Sequence, residues 1–326
     1  MRCVCVTPNA SVDTTYRVER LVRGGAARVV ERVSVPGGKG NNVARVLRRL
    51  GHAVVASGFL AGSAGDFIER ELRELDVEPA FVRVPGESRT CLAVLERAEP
   101  VVTELWEPGP KVAAEAVQEL VDRVAALAVE ADAVVLSGSL VTDAAEDLYA
   151  RIIGAVRRGS VFVALDSSGA ALAEGLAAGP DLVKPNWDEM VALAGDPQLD
   201  LDGAVRFAQR RLLRGPLPAA ANVLLSLGGD GAVLIGAEDA VRLPAAAAEP
   251  ANPVGAGDAM LAGYLDAWAR GERGEDALRW AGAVAGASTH APIAGDVEPS
   301  QVEPLALATG GPIPLEHHHA TNRGDE

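Results

Sequence analysis

Asp258 stands in the run Asn252-Pro253-Val254-Gly255-Ala256-Gly257-Asp258-Ala259-Met260, which leads into LAGYLDAWAR. Small residues opening a helix let an anion approach backbone N–H groups that have no partner within the helix, and the helix dipole favours negative charge there. An Asp in that first turn has two roles open to it. It can cap the helix, worth about 1 kcal/mol. It can instead act as a general base, taking a proton from an alcohol while the amides of Gly255, Ala256 and Gly257 hold a transferring phosphoryl group.

A second cluster is Pro36-Gly37-Gly38-Lys39-Gly40-Asn41-Asn42, followed by the helical VARVLRRLG. It is not a Walker A loop, which places four residues between its first Gly and the Gly-Lys and then needs Ser or Thr. One reading is a Gly-rich turn with Asn42 capping the helix. The other is a polar cradle in which backbone amides and the Asn42 amide bind hydroxyls and Lys39 binds an anion. A third segment, Ser226-Leu227-Gly228-Gly229-Asp230-Gly231, ends a strand and reads first as a tight turn. A fourth, Lys184-Pro185-Asn186-Trp187-Asp188-Glu189, also follows a strand. There Asn186 and Glu189 form a capping box or an outer-shell site for Mg²⁺, which prefers carboxylate and water oxygens.

These segments need a scaffold, and the chain between them describes one. The runs AVVL at 133–136, VFVAL at 161–165, DLVK at 181–184 and NVLLSL at 222–227 are continuous and apolar. Between them Val117, Leu120, Val121, Val124 and Leu127 recur at helical spacing, as do Leu148, Ile152, Ile153 and Val156. Buried runs alternating with amphipathic helices predict an α/β fold with a mainly parallel sheet covered on both faces. Residues 12–35 and 80–107 break the rhythm with alternating β-like patterns, which predicts a small second sheet with one open face. They interrupt the core sequence, so they predict an appendage on one domain. That domain is expected over residues 1–310, with a tail over 311–326 that carries His317, His318 and His319.

Composition narrows the partners. The chain has 326 residues, with 45 acidic against 30 basic side chains and a net charge of −15. That mean field repels nucleic acid and anionic membranes, though a local basic pocket for a small anion stays open. The only lysines are Lys39, Lys111 and Lys184, so a Lys inside a motif carries weight. Cys3, Cys5 and Cys91 are too few and too irregular for a disulfide framework or a zinc site. The N-terminus has no apolar signal region, and no run of 18 apolar residues occurs, so a cytoplasmic chain is expected.

Together the four segments resemble the PfkB, or ribokinase-like, carbohydrate kinases. Gly38 to Ala44 is similar to that family's N-terminal signature, and Asn252 to Leu265 to its C-terminal one. The likeness runs from Thr7 to about residue 308. It is strongest to the phosphosugar branch, and the runs LDSS at 165–168 and LVKPN at 182–186 lean towards 1-phosphofructokinase.

The resemblance implies a three-layer α/β/α core with a β-lid that also pairs two subunits, with ATP and Mg²⁺ as cofactors. Asp258 would be the base and Gly255, Ala256 and Gly257 the anion hole. Ser226, Gly228, Gly231 and Asn252 would border ATP. Asp13, Gly38 and Asn42 would hold sugar hydroxyls. Lys39 and Arg89 would reach the sugar phosphate, away from the transfer centre, and Asn186 and Glu189 would sit near Mg²⁺. The activity implied is phosphorylation of a ketohexose phosphate, first fructose 1-phosphate, then tagatose 6-phosphate or fructose 6-phosphate. A non-catalytic sugar-phosphate sensor on this fold would be marked by loss of the Asp, which is present. Three departures bear on the sugar: Asn41 stands for an apolar residue, Cys91 for an Asn, and the Pro of TPNASVD is shifted.

Overall fold

The first strand shows why this chain builds a covered sheet. In β1 (Arg2–Thr7), Cys3, Val4, Cys5 and Val6 are all fully buried, so both faces of the strand lie under other elements. The computed structural model describes residues 1–99, 101–141, 146–157, 159–245, 254–291, 293, 295–308 and 310–315. After β1 come β2 (Ser11–Val18), β3 (Val29–Gly37), α1 (Lys39–Arg49), β4 (Ala53–Leu60), α2 (Gly62–Glu74), the short β5 (Glu78–Pro79) and β6 (Val82–Arg83), β7 (Arg89–Glu96) and β8 (Val102–Trp106). The middle of the chain holds α3 (Ala114–Ala128), β9 (Ala133–Ser137), α4 (Leu148–Val156), β10 (Phe162–Asp166), α5 (Gly169–Ala177), β11 (Leu182–Val183), α6 (Trp187–Ala194), α7 (Leu201–Phe207) and β12 (Asn222–Ser226). Then follow β13 (Ala232–Ile235), β14 (Ala240–Leu243), α8 (Ala256–Ala269), α9 (Gly274–His290), α10 (Pro299–Ala308) and β15 (Ile313–Pro314).

The main sheet runs in the order β15-β14-β13-β12-β11-β10-β9-β1-β4-β5, with β6 also on β4. From β5 to β12 the pairing is parallel, and β13 to β15 extend it in antiparallel fashion. Because side chains alternate across a strand, each strand feeds two cores. Val4, Val6, Val134, Leu136, Val163 and Leu165 pack with α3 to α7 on one face. Cys3, Cys5, Ala133, Val135, Ala164 and Leu182 pack with α1, α2 and α8 to α10 on the other. This is the three-layer ribokinase-like arrangement, and it brings the carboxyl ends of β1, β9, β10, β11 and β12 to one edge. In open α/β sheets that edge is where ligands bind.

A second sheet, in the order β3-β2-β7-β8, stands apart from the first. Its outer residues are apolar and exposed, among them Val30, Leu105 and Trp106, the last 71% exposed. Two boundaries differ from the sequence expectation. The stretch 80–88 does not join this sheet, because β6 pairs with Phe59 and Leu60 of β4 and buries Val82 in the main core. The tail expected from residue 311 is engaged at its start, because Ile313 and Pro314 pair with β14 and the Leu315 N–H donates to Ala240 O at 2.9 Å. His317, His318 and His319 lie outside the described residues, as does Asn252. No helix among the described residues is long and apolar enough to cross a membrane.

The parallel seam between β1 and β4 leaves no room at Gly58. Its φ is +140°, and a Cβ there would lie 2.0 Å from Thr7 O on the adjoining strand. Gly58→Ala is expected to lower stability by about 2–4 kcal/mol in urea unfolding. Gly154, exposed inside α4 with open space around it, is the contrasting case: Gly154→Ala should raise stability by about 0.5–1 kcal/mol.

Candidate active site

Asp258 sits on the first turn of α8, but it does not cap that helix. Gly255 is the N-cap, held in the left-handed region at φ 80°, and no side chain satisfies the helix start. The carboxylate of Asp258 is 6% exposed, and Asn42 Nδ2 donates to its Oδ2 at 2.8 Å. Burial and the negative charge of Asp166 push its pKa up from 3.8 to about 7, against the pull of the Asn42 hydrogen bond and of Lys39 and Lys184. A carboxylate of that basicity, beside the amides of Ala256 and Gly257, matches the acid–base side of phosphoryl transfer at neutral pH.

Asn42 is likewise no cap. The N-cap of α1 is Gly38, at φ 93°, and Asn42 lies inside the first turn with its side chain turned towards α8. Lys39, at the start of the same helix, does not point to the remote end of the cleft. Its Nζ meets Asp166 Oδ1 at 2.9 Å and lies 4.0 Å from Glu189 Oε1. Burial works against its charge, but Asp166, with help from Asp258 and Glu189, raises its pKa above the ordinary lysine value. Where the sequence reading sent Lys39 to a sugar phosphate away from Asp258, the structure sets its ammonium against Asp166, from where its charge lowers the Asp258 pKa. Lys184, 3% exposed, stands 3.0 Å from Asp166 Oδ2 as an ion pair without aligned hydrogen-bond geometry. A Cβ on Gly257 would lie 3.5 Å from Lys184 Nζ, so this second cation stands beside the first turn of α8.

Asp13, Gly38 and Arg89 meet at the base of the lid. Ser11 Oγ donates to Asp13 Oδ1 at 2.6 Å. Burial raises the Asp13 pKa, while Ser11, Arg89, the Gly38 amide and Arg45 pull it down. Gly37 touches that carboxylate, for a Cβ there would lie 1.9 Å from Asp13 Cγ. Arg89 Nε donates to Asn9 O at 3.2 Å. Cys91 faces Asp13 in the parallel register of β2 and β7. Asn41 is fully buried and donates to Gly37 O at 2.8 Å, so it pins the loop.

On the other side of α8 lies a cavity of about 410 Å³. Ser226, Gly228, Gly231, Ala256 and Gly257 line it, and Asn186 stands at its rim. Leu243, Met260 and Ala285 give it apolar wall, with Thr289 and His290 among its polar lining, a mixture that suits a flat heteroaromatic base. Gly228, at φ 59°, opens a single 3₁₀ turn, and Gly231, at φ 96°, follows it. Asn186 and Glu189 form a reciprocal capping box at 2.8 and 2.9 Å. Among the described residues no three acidic, His or Cys side chains converge. Asn186 Oδ1 and Glu189 Oε2 both accept backbone N–H groups in this box, so a Mg²⁺ here would have to be held largely by water and nucleotide phosphates.

Sequence reasoning missed Asp166 and Lys184 as site residues. A signal existed for both. Asp166 ends a buried strand with no carboxylate-shaped reason to be there, and Lys184 is one of the chain's rare lysines.

Comparison with known proteins gives the family. The model of the pfkB family carbohydrate kinases matches residues 1–300, and the chain belongs to that family. Phosphofructokinase-2 from Escherichia coli, in a potassium complex, is 26% identical, with 94% of this chain and 98% of that one covered at a TM-score of 0.85. A Thermotoga maritima protein described as a possible 1-phosphofructokinase shares the fold at 22% identity, 97% and 100% coverage and a TM-score of 0.84. Ribokinase of the same organism does so at 19%, with 94% and 98% covered and a TM-score of 0.73. The protein is a sugar kinase that transfers phosphate to a hydroxyl.

The raised Asp258 pKa has a cost in stability. Between 3.8 and about 7 the native state holds a proton that the unfolded chain releases. That contribution is complete below 3.8 and is lost as pH rises through 7. Asp258→Asn should therefore raise Tm at pH 8 and give little at pH 4, in paired thermal melts. An equal change at both pH values would contradict the buried, basic carboxylate.

Proposed function

We propose that the protein transfers the γ-phosphoryl group of ATP to a ketohexose phosphate, with fructose 1-phosphate, phosphorylated at its 6-hydroxyl, as the preferred acceptor. The observation that carries this reading is Asp258, a buried carboxylate titrating near 7 at an open helix N-terminus beside two lysines. Its Oδ takes the proton of the attacking hydroxyl as the phosphorus–oxygen bond to ADP breaks. The amides of Gly255, Ala256 and Gly257 hold the moving phosphoryl group, and Lys39 and Lys184 offset the charge spread over its oxygens. The cavity beyond Gly257 takes the nucleotide. Mg²⁺, when bound near Asn186 and Glu189, neutralises phosphate charge.

Asp13, Gly38 and Asn42 face the sugar hydroxyls, and Arg89 receives its phosphate. A dianionic acceptor needs local cations on a chain of net charge −15. Arg supplies a forked donor pair for it. Fructose 6-phosphate is the second reading, supported by the 25% identical phosphofructokinase-2 from Escherichia coli that was solved in complex with fructose-6-phosphate. The lid sheet covers the sugar, excluding water during transfer. Its apolar outer residues, Val30, Leu105 and Trp106, support a homodimer formed through the lid.

ADP release is to be measured with fructose 1-phosphate, fructose 6-phosphate, tagatose 6-phosphate and ribose. Fructose 1-phosphate should give the highest kcat/KM, and preference for ribose would overturn the reading. Asp258→Asn should lower kcat by roughly 10²–10⁴-fold with ATP binding retained. In the native enzyme kcat/KM should rise with pH through about 7, as the base loses its proton.

Arg89 and Lys39 should separate kinetically. Arg89→Ala should raise KM for the sugar phosphate by roughly 10–150-fold and leave KM for ATP nearly unchanged. Lys39→Ala should lower kcat instead, because its ammonium stands at the transfer centre. If Arg89→Ala weakens both substrates equally, the phosphate does not sit at Arg89.

A further inference from the structure

We infer that Arg45 is a positioning residue that orients the Asn42 amide and so sets the basicity of Asp258. The inference rests on reading Asp258 as the base. Arg45 is 5% exposed, on the second turn of α1. Its Nη1 donates to Asn42 Oδ1 at 3.4 Å and to Pro36 O, in the lid strand β3, at 3.2 Å. With Oδ1 occupied, the amide presents Nδ2 to Asp258 Oδ2. The opposite orientation would set an amide oxygen against a carboxylate oxygen. Gly295 closes the remaining side: a Cβ on it would lie 2.7 Å from Asn42 Cβ and 2.8 Å from Oδ1. The backbone at Gly295 thus passes close to the Asn42 side chain, and Arg45 adds a hydrogen bond to the oxygen of its amide.

The groups whose charges act directly on Asp258 are Asp166 on β10, Lys39 on α1 and Lys184 after β11. Arg45 acts through Asn42, whose hydrogen bond lowers the pKa of the base. Losing that donor should move the base upward, and activity should then return at high pH. A residue that merely supports the fold would not give this signature. Arg45 also borders a cavity of about 540 Å³ shared with Arg48, Arg49 and Asp296, so a shorter polar side chain there can be solvated.

The test is a pH profile of kcat/KM for Arg45→Gln and Arg45→Lys, paired with a ¹³C titration of labelled Asp carboxyls in which Asp258→Asn assigns the signal. For Arg45→Gln the acid limb and the carboxyl titration should both rise by about one to two pH units. At pH 6 the loss in kcat/KM should be roughly tenfold or more, and near pH 9 it should shrink to roughly twofold or less. Arg45→Lys, which keeps the positive charge but not the forked donor set, should lie between Gln and the native enzyme. In an Asn42→Ala background Arg45→Gln should add no further shift. A uniform loss at every pH, or a shift that persists without Asn42, overturns the inference. Should Arg45→Gln fail to fold, Arg45→Lys alone decides it by the same two readouts. If Asp258→Asn keeps full turnover while the carboxyl still shifts in Arg45→Gln, the assignment of the base has failed and the link from Arg45 to Asp258 stands.

Discussion

The site is organised around the fully buried carboxylate of Asp166, gripped by Lys39 on one oxygen and Lys184 on the other. Removing a carboxylate from water costs several kcal/mol unless it is paired. The two lysines supply that pairing and tie together three separate pieces of chain: the start of α1, the end of β10 and the turn after β11. Burial and Asp166 raise the Asp258 pKa, while the Asn42 hydrogen bond and the two lysines restrain it. The ion pairs that hold these pieces of chain together thus also set the proton affinity of Asp258.

Much of this was legible in the sequence wherever a local pattern carries the information. Continuous apolar runs announced β9, β10, β11 and β12, and helical spacing announced α3 and α4. Gly255 to Asp258 and Gly38 to Asn42 declared themselves by composition, and the Asn186–Glu189 capping box by spacing. What stayed hidden depends on contacts across the chain. Lys39 meets Asp166 over 127 residues, and Asn42 meets Asp258 over 216. No local pattern distinguishes a lysine aimed at a substrate from one aimed at a carboxylate on another strand. The stretch 80–88 misled for a related reason. Its alternation is β-like, yet the partner that claims it, β4, is chosen by the apolar side chains of Phe81, Val82 and Val84 fitting the main core.

The departures from the family pattern divide once the structure is known. Asn41 has a structural explanation: its amide holds the Gly37 carbonyl and its oxygen accepts from Thr7 Oγ1 at 3.3 Å, all within the protein. It therefore says little about the acceptor sugar. Cys91 is different. It is half-buried opposite Asp13, and burial raises the pKa of its thiol, so it stays neutral beside Arg89. A thiol is a weak donor and acceptor where an amide would make two strong hydrogen bonds. On the proposed reading, discrimination among ketose phosphates at this end would rest more heavily on Asp13 and Arg89.

The lid and the reaction centre are also closer in the chain than in their chemistry. Strand β3 ends at Gly37 and α1 begins at Lys39, with Gly38 alone between them. Gly37 is pressed against Asp13, and Gly38 holds a backbone angle that other residues rarely adopt. Just beyond, Lys39 is anchored by Asp166, so any swing of the lid strand must be absorbed at these two glycines and cannot be passed on as a rigid rotation of α1. Arg45 spans that joint from the helix side, with one nitrogen shared between the lid carbonyl of Pro36 and the amide that faces the base. A displacement of Pro36 would reach Asp258 through three hydrogen bonds. If the second sheet closes over the acceptor as proposed and Asp258 is the base, that movement also changes how firmly the amide facing the base is held.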